Sequence, residues 1–353
     1  MRGVVFTGNR QLEVIDFPDP TPGPGEAIVA IKASGLCGSD LKFYRDPPGT
    51  ALAAWGFKNT GEAGNPAIIA GHEPCGVVAE IGPNVDPRSF AVGDRVMVFH
   101  YQGCGTCDPC RTGWTQMCTY GATIFGANAH GGHANYLRVP VSSLVSLPDE
   151  LSFSAGAAIA CGTGTAFGAL LRGDVRSGDT VAVFGAGPIG QSVVQFAHVM
   201  GCQVIAVDIA ADRLASAARL GAHHVIDSST VDPATAIMDI TGGRGASVAI
   251  ETSGTTAART AGTRCLGAWG RIVLVGMGGK LELDASADLI IKQIKVIGSY
   301  TFSSVIMGDC ARFIASRGID VDWLFTDRWN IEDSERAYRE FDKQTRGKAV
   351  IEF

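Results

Sequence analysis

Cys104, Cys107, Cys110 and Cys118 fall in the run GCGTCDPCRTGWTQMC with the spacing C-x2-C-x2-C-x7-C. Four thiolates this close, in a loop rich in Gly, Thr, Asp and Pro, can surround one Zn²⁺ tetrahedrally with protein filling every position. Such a closed shell holds a fold together and offers nothing to a substrate, so the spacing predicts a structural zinc. Disulfides are the alternative, but adjacent C-x2-C steps make poor partners for each other. A reactive centre must therefore be built elsewhere. Cys37 in SGLCGSD, His72 in AGHEPCG and Cys161 in ACGTGTAFG offer two Cys and one His, a catalytic zinc set that leaves a fourth position for water or substrate. Each of the three, taken singly, is better explained as a packed core group. Their occurrence together with the cysteine lobe and a dinucleotide turn gives them meaning as a set.

That turn is Gly185, Gly187 and Gly190, a G-x-G-x-x-G directly after the apolar run TVAVF and opening the helical run PIGQSVVQFAHVM. In this context the first glycine permits a tight turn, the second lets backbone approach a pyrophosphate, and the third brings helix against strand. The helix N-terminus, with Pro188 and Ile189 in its first turn, then faces the phosphates. Asp208 ends the next strand, 18 residues after Gly190. An acidic group there accepts hydrogen bonds from ribose hydroxyls and repels a 2′-phosphate, which favours NAD over NADP. Arg213 is placed to stack on adenine or to face solvent.

These groups need a scaffold of two kinds. Before residue 160, short runs rich in Val, Ile and aromatics (GVVFT, EAIVAIKA, CGVVAEIG, DRVMVF, ANYLRVP) alternate with turn signals and read as all-β. From about residue 163 strands alternate with helical runs: TVAVFGAG, QVIAVD, HHVID, SVAIET, RIVLVGM and IKVIG, a pattern that gives a parallel sheet. Helices near Met307–Ser316 and Glu332–Lys343 and a last strand, KAVIEF, should rejoin the first part. The expected domains are residues 1–162 with 302–353, and residues 163–301.

Composition agrees with a two-domain globular protein. The chain has 353 residues, a net charge of −6, 46% apolar and 18% charged residues. The acidic balance gives no reason to bind nucleic acid or an anionic membrane. No secretory leader or long apolar span is expected, and ten cysteines then point to a reducing, cytoplasmic setting. Glycine, at 46 residues, is roughly twice its ordinary share, consistent with many close backbone approaches.

The motifs G-L-C-G-S-D at 35–40, G-H-E at 71–73, G-D-R-V at 93–96, the cysteine lobe and G-A-G-P-I-G at 185–190 resemble those of the zinc-dependent medium-chain alcohol and polyol dehydrogenases over essentially the full length. The resemblance implies a GroES-like β catalytic domain, a doubly wound Rossmann domain, and an active site in the cleft between them. It also implies two zinc ions per chain and an NAD-linked oxidation of alcohol to ketone through a zinc alkoxide and hydride transfer. By that likeness Cys37, His72 and Cys161 hold the catalytic zinc, and Glu73 lies behind the metal and replaces its water in some members. Asp40 would fix the tautomer of His72. Ser39 would take the substrate proton, and Thr165 would pack on the nicotinamide. The family also implies a homodimer or homotetramer, for which RIVLVGM is the candidate edge strand.

Three features depart from the family pattern. Lys42 stands where many relatives keep a proton-relaying His. Cys161 replaces the Glu common in polyol dehydrogenases. The 34 residues between Cys37 and His72 exceed what is usual in that branch, and Trp55, Phe57, Lys58 and Asn59 within them are candidates for the substrate cleft. His130 and His133 are further candidates there. The expected substrate is a secondary alcohol, polyol, cyclitol or sugar-like molecule, with a short alcohol, a diol or a threonine-type amino alcohol as the alternative. A metal-free quinone or enoyl reductase would lack Cys37, His72 and the cysteine lobe. A zinc-finger module would carry a basic helix after its cysteines.

Overall fold

The computed structural model describes residues 1–47, 50, 67–343 and 347–353, so Trp55, Phe57, Lys58 and Asn59 lie outside the described residues. The chain divides into one unit of Met1–Cys161 with Ser303–Phe353 and a second of Gly162–Phe302.

The first unit is organised around the 11-residue strand Glu26–Leu36. Its Val, Ile and Ala side chains are nearly all buried, and Ala27, Val29 and Ile31 pack with Val78, Val96, Val98, Leu137 and Val139 in one core cluster. Three strands share this one as a neighbour. Pro74–Ile81 pairs along its length, Tyr136–Pro140 along its first half, and the C-terminal strand Lys348–Glu352 along its last four residues, with Ala349 opposite Leu36. The full order is Phe325–Trp329, Lys348–Glu352, Glu26–Leu36, Pro74–Ile81, Arg95–Val98, Leu144–Ser146, with Tyr136–Pro140 added on Glu26–Leu36. The last residues of the chain are thus seated beside the stretch that leads into Cys37.

The early part of the chain is not all-β, as its sequence suggested. Helix Asp40–Arg45 follows directly on Cys37, and helix Phe153–Ile159 precedes Cys161. The second helix is buried on nearly every side, so it carries no amphipathic period to betray it. A sequence signal did exist in Ser152, whose Oγ caps the helix by accepting from Ala155 N at 2.9 Å.

The second unit holds six parallel strands in the order His224–Asp227, Gln203–Asp208, Thr180–Phe184, Ala246–Glu251, Leu266–Leu274, Lys295–Gly298. From Thr180–Phe184 the chain builds outward in one direction and then returns to build in the other. The switch point lies between Thr180–Phe184 and Ala246–Glu251, where open α/β sheets receive ligands at the carboxyl ends of their strands. Here the expected edge strand is corrected. The first four residues of RIVLVGM, Arg271–Leu274, lie in the strand Leu266–Leu274, which is paired on both sides, and the edge strand on that side is Lys295–Gly298. Strand order follows from non-local pairing, which a run of apolar residues does not reveal.

Candidate metal and dinucleotide sites

All ten cysteines are free thiols, and two groups of side chains have metal-binding geometry among the described residues. In the first, the sulfurs of Cys104, Cys107, Cys110 and Cys118 all lie within 4.8 Å of one another. The Cys104–Cys110 and Cys107–Cys118 separations are both 4.0 Å. Two sulfurs at about 2.3 Å from a tetrahedral zinc lie about 3.8 Å apart, whereas a disulfide needs about 2.0 Å. The donor set therefore fits zinc and not a bridge. The lobe is already shaped for anionic sulfur. Cys104 Sγ accepts from the Thr106 hydroxyl and from the N–H groups of Thr106 and Cys107, which pull its pKa down to about 6.

The second group joins Cys37, His72, Glu73 and Cys161, again with ligand atoms within 4.8 Å of one another. Cys37 and Cys161, 124 residues apart, have their sulfurs 3.9 Å apart. His72 is oriented by Asp40, whose Oδ1 takes Nδ1 at 2.7 Å. With Nδ1 committed as a donor, Nε2 carries the lone pair, and it lies 3.2 Å from Ser39 Oγ. Asp40 is fully buried, and its Oδ2 also takes the Cys37 N–H at 2.8 Å, so one carboxylate orients two of the donors.

Glu73 is fully buried behind this group. Lys348 Nζ lies 2.5 Å from its Oε2, an ion-pair contact without hydrogen-bond alignment, while Oε1 has no hydrogen-bond partner among the described residues. Burial pushes the Glu73 carboxyl up to about 8, with Lys348 pulling the other way. Lys348 itself donates to Leu36 O at 3.2 Å. A buried carboxylate with an unpartnered oxygen, grouped with two thiols and an imidazole, fits a cation at the centre. Lys42 sits half-buried in the Asp40–Arg45 helix, within one turn of Ser39.

The glycine turn of the second unit has the geometry its sequence required. Gly185 takes φ of 94°, in the left-handed region. A Cβ on Gly190 would meet Gly185 O at 1.8 Å, whereas one on Gly187 would meet nothing within 4 Å. The third glycine is thus a packing requirement, and the second leaves open space over backbone. Helix Pro188–Val199, with Ile189 in its first turn, starts at Gly187 with no side-chain cap, leaving its first N–H groups for an anion. Asp208 has a role in this turn that the sequence did not announce. Its Oδ2 accepts Ala186 N–H at 2.6 Å, and its Oδ1 accepts Ile209 and Ala210 N–H at 2.8 and 3.0 Å. Arg213 Nη1 is 3.9 Å from Oδ2. Thr165 is buried inside helix Gly162–Arg172.

Residues 23–149 match the alcohol dehydrogenase GroES-like domain family, and residues 188–316 match the zinc-binding dehydrogenase family. The chain belongs to the zinc-dependent medium-chain dehydrogenases. Among relatives of this zinc-type dehydrogenase, an uncharacterised zinc-type alcohol dehydrogenase-like protein, YphC of Escherichia coli (strain K12), is 37% identical over 100% of this chain and 99% of that one. Sorbitol dehydrogenase of Bacillus subtilis (strain 168) is 28% identical over 96% and 92%. The solved structure of galactitol-1-phosphate dehydrogenase from Escherichia coli superposes with a TM-score of 0.87 at 25% identity, covering 100% of both chains. A Sinorhizobium meliloti 1021 structure of the same TM-score, 25% identical over 100% of this chain and 99% of that one, is bound to NADP.

Several residues of this dehydrogenase escaped sequence reasoning. Lys348 had no local signal, since its partner is 275 positions away in the chain. His100 packs edge-on against His72 with ring centroids 5.0 Å apart and bonds Ala160 O through Nδ1 at 3.2 Å. Glu251, fully buried, gathers the N–H groups of Ser253 and Gly254 at 2.7 Å each and pairs with Arg259, bracing the loop beside the glycine turn. The paired histidines differ in setting, His130 being half-buried and His133 fully buried. His130 Nδ1 accepts Ile69 N–H at 3.1 Å, and His133 is fully buried between Ser34 and Tyr338.

Two outcomes follow from this geometry. Cys107→Ser should lower the zinc content measured by mass spectrometry from two ions to one per chain and lower Tm by about 5 °C or more, because the closed site contributes folding energy. His133 is held at about 4, chiefly by burial, with the Asp40 charge opposing. An unfolded histidine titrates near ~6.5, so between those values the unfolded chain binds a proton that the folded chain refuses. Stability should therefore fall as pH drops from about 6.5 to about 4, by up to about 3 kcal/mol from this group. Denaturant midpoints across that range, in wild type and His133→Gln, should show a shallower slope in the variant.

Proposed function

We propose that this dehydrogenase oxidises a secondary alcohol of a polyol, cyclitol or sugar-like substrate to the ketone, with NAD as hydride acceptor, in a cytoplasmic setting. The observation that carries the reading is the buried cluster of Cys37, His72, Glu73 and Cys161, with the Ser39 hydroxyl at its edge. Cys37, His72 and Cys161 would hold a zinc ion, with Glu73 beside it. When bound, that ion supplies a Lewis acid that makes an alcohol easier to deprotonate. Cys104, Cys107, Cys110 and Cys118 would hold the structural one.

The remaining work falls to side chains of this protein. Asp40 holds the His72 ring so that Nε2 faces inward and steadies the Cys37 loop through its N–H. Ser39 is the group at hand to accept the hydroxyl proton of the substrate, and Lys42, in the helix that Ser39 precedes, is the candidate to pass it on. The uncapped start of helix Pro188–Val199 would bind the pyrophosphate of the cofactor, and Asp208 its ribose hydroxyls. A carboxylate takes about four hydrogen bonds, so the three that Asp208 receives from backbone leave capacity for a ribose. Similarity to sorbitol and galactitol-1-phosphate dehydrogenases supports a hydroxyl-rich substrate over a plain alkanol.

Nicotinamide reduction followed by absorbance, with NAD⁺ and a panel of alkanols, diols, amino alcohols, polyols, inositols and sugars, should give its strongest response among the polyols, cyclitols and sugars. A response confined to short alcohols or to threonine would replace that substrate class with the alternative one. Asp208→Ala should narrow the ratio of NAD to NADP kcat/KM about tenfold, the worth of one charged hydrogen bond. Because the same carboxylate ties down Ala186, the ratio rather than either rate is the readout. An unchanged ratio would remove Asp208 from the ribose site.

A further inference from the structure

Glu251 closes the strand Ala246–Glu251 at its carboxyl end, beside the switch point of the parallel sheet. Its side chain is 0% exposed and that of Arg259, in helix Thr256–Arg264, is 11% exposed. Glu251 Oε1 accepts the Ser253 N–H, the Gly254 N–H and the Ser253 hydroxyl at 2.7, 2.7 and 2.6 Å. Arg259 Nε donates to Glu251 Oε2 at 3.4 Å, and Arg259 Nη2 donates to Gly276 O at 2.6 Å. The main-chain oxygen of Glu251 accepts the N–H groups of Val275 and Gly276 at 2.8 and 3.0 Å. One residue and its ion-pair partner thus tie together the loops that follow two neighbouring strands, Ala246–Glu251 and Leu266–Leu274.

The two loops touch backbone to backbone. A Cβ on Gly276 would meet Gly254 N at 2.1 Å, and one on Gly254 would meet Met277 O at 2.2 Å. The first of these loops is also bonded to the G-x-G-x-x-G turn. The Thr252 N–H donates to Phe184 O at 2.9 Å, and the Thr252 hydroxyl donates to Gly185 O at 2.8 Å. A Cβ on Gly185 would lie 2.9 Å from Thr252 Oγ1 and 3.0 Å from Ser253 N. An unbroken run of contacts therefore leads from Arg259 through Glu251 and the Thr252–Gly254 loop to the first glycine of the turn. A buried ion pair contributes little net stability against an apolar pair of the same size, so its use here lies in the geometry it imposes. A binding constellation has to be held within about 0.5 Å of its productive geometry, and loops without regular structure cannot do this unaided.

We propose that Glu251 and Thr252 are positioning residues for dinucleotide binding: Glu251, paired with Arg259, fixes the Thr252–Gly254 loop, and through the Thr252 hydroxyl that loop holds the Gly185 turn leading into helix Pro188–Val199. The proposal rests on the dinucleotide reading given above and extends it to residues outside the glycine motif. Neither side chain needs to touch the cofactor. Their effect passes through the backbone of the turn, so it falls on the pyrophosphate that the turn and the helix start would receive. A ligand that keeps the pyrophosphate but lacks the nicotinamide should feel it equally.

The test is a titration of the purified, zinc-loaded full chain with NADH or NADPH, whichever the wild type binds more tightly, followed by nicotinamide fluorescence. ADP-ribose is titrated in competition. Both dissociation constants should rise about fivefold in Thr252→Val, which loses a neutral hydrogen bond, and about tenfold in Glu251→Gln, which loses a charged one. Thr252→Ser keeps the hydroxyl and should stay within about twofold of wild type. A purely structural role would lower Tm and leave the Kd of the folded protein where it was. Folded Thr252→Val and Glu251→Gln proteins with wild-type constants would therefore overturn the proposal, as would a rise for the nicotinamide dinucleotide that spares ADP-ribose. If Glu251→Gln does not fold, Thr252→Val and Thr252→Ser decide the matter, and equal constants in the two overturn it. A wild-type protein that binds neither NADH nor NADPH would overturn the dinucleotide reading itself, and the proposal with it.

Discussion

Two thiols, an imidazole and a carboxylate within 4.8 Å of one another, inside protein, form an arrangement that electrostatics resists. Like charges at this separation cannot all persist in a low dielectric, and the side chains show how the tension is distributed. Cys37 and Cys161 share a proton, the hydrogen bond between them driving Cys37 well below the usual thiol range and Cys161 well above it. Glu73 is pushed up by burial and steadied by the Lys348 ammonium. A divalent cation at the centre relieves all of these at once. The surrounding structure reads most simply as the scaffold that keeps this cluster assembled against its own repulsion.

That scaffold draws on remote parts of the chain. The strand Glu26–Leu36 delivers Cys37 at its end, and the pairing of Ala349 with Leu36 delivers Lys348 behind Glu73. The turn at Gly71 lies against His133, so closely that a Cβ on the glycine would meet the ring at 2.3 Å, and it leads directly into His72 and Glu73. Helix Phe153–Ile159 sets the approach to Cys161. By contrast the four-cysteine lobe gathers its donors from 15 consecutive residues and bonds its sulfurs to its own backbone. One cluster is closed and local, and the other is assembled by the fold and carries a carboxylate oxygen without a hydrogen-bond partner among the described residues. This difference is what the proposed division between a stabilising site and a reactive one rests on.

The same difference explains what could be read in the sequence. The cysteine lobe and the G-x-G-x-x-G turn were legible because their chemistry lies in short spacings, and the parallel sheet because strand and helix patterns alternate along the chain. Cys37, His72 and Cys161 became a set only through their company, the cysteine lobe, the dinucleotide turn and the family likeness, since nothing in their separate surroundings predicts a 3.9 Å approach of two sulfurs. Lys348 and Tyr338 were silent, and His133 stood out only as one of a pair of histidines. Their partners lie hundreds of residues away, and a buried lysine or histidine has the same letter as an exposed one. The helix before Cys161 was hidden by being buried on nearly every side, and the position of RIVLVGM in the sheet by the non-local nature of strand order.

The central claim is that Cys37, His72 and Cys161 form an open metal site distinct from the cysteine lobe. Anomalous scattering at the zinc absorption edge, from crystals of zinc-loaded protein, addresses it most directly. Two peaks per chain are predicted, one inside the lobe and one among Cys37 Sγ, His72 Nε2 and Cys161 Sγ. A single peak in the lobe, with none at the second cluster, would contradict the account.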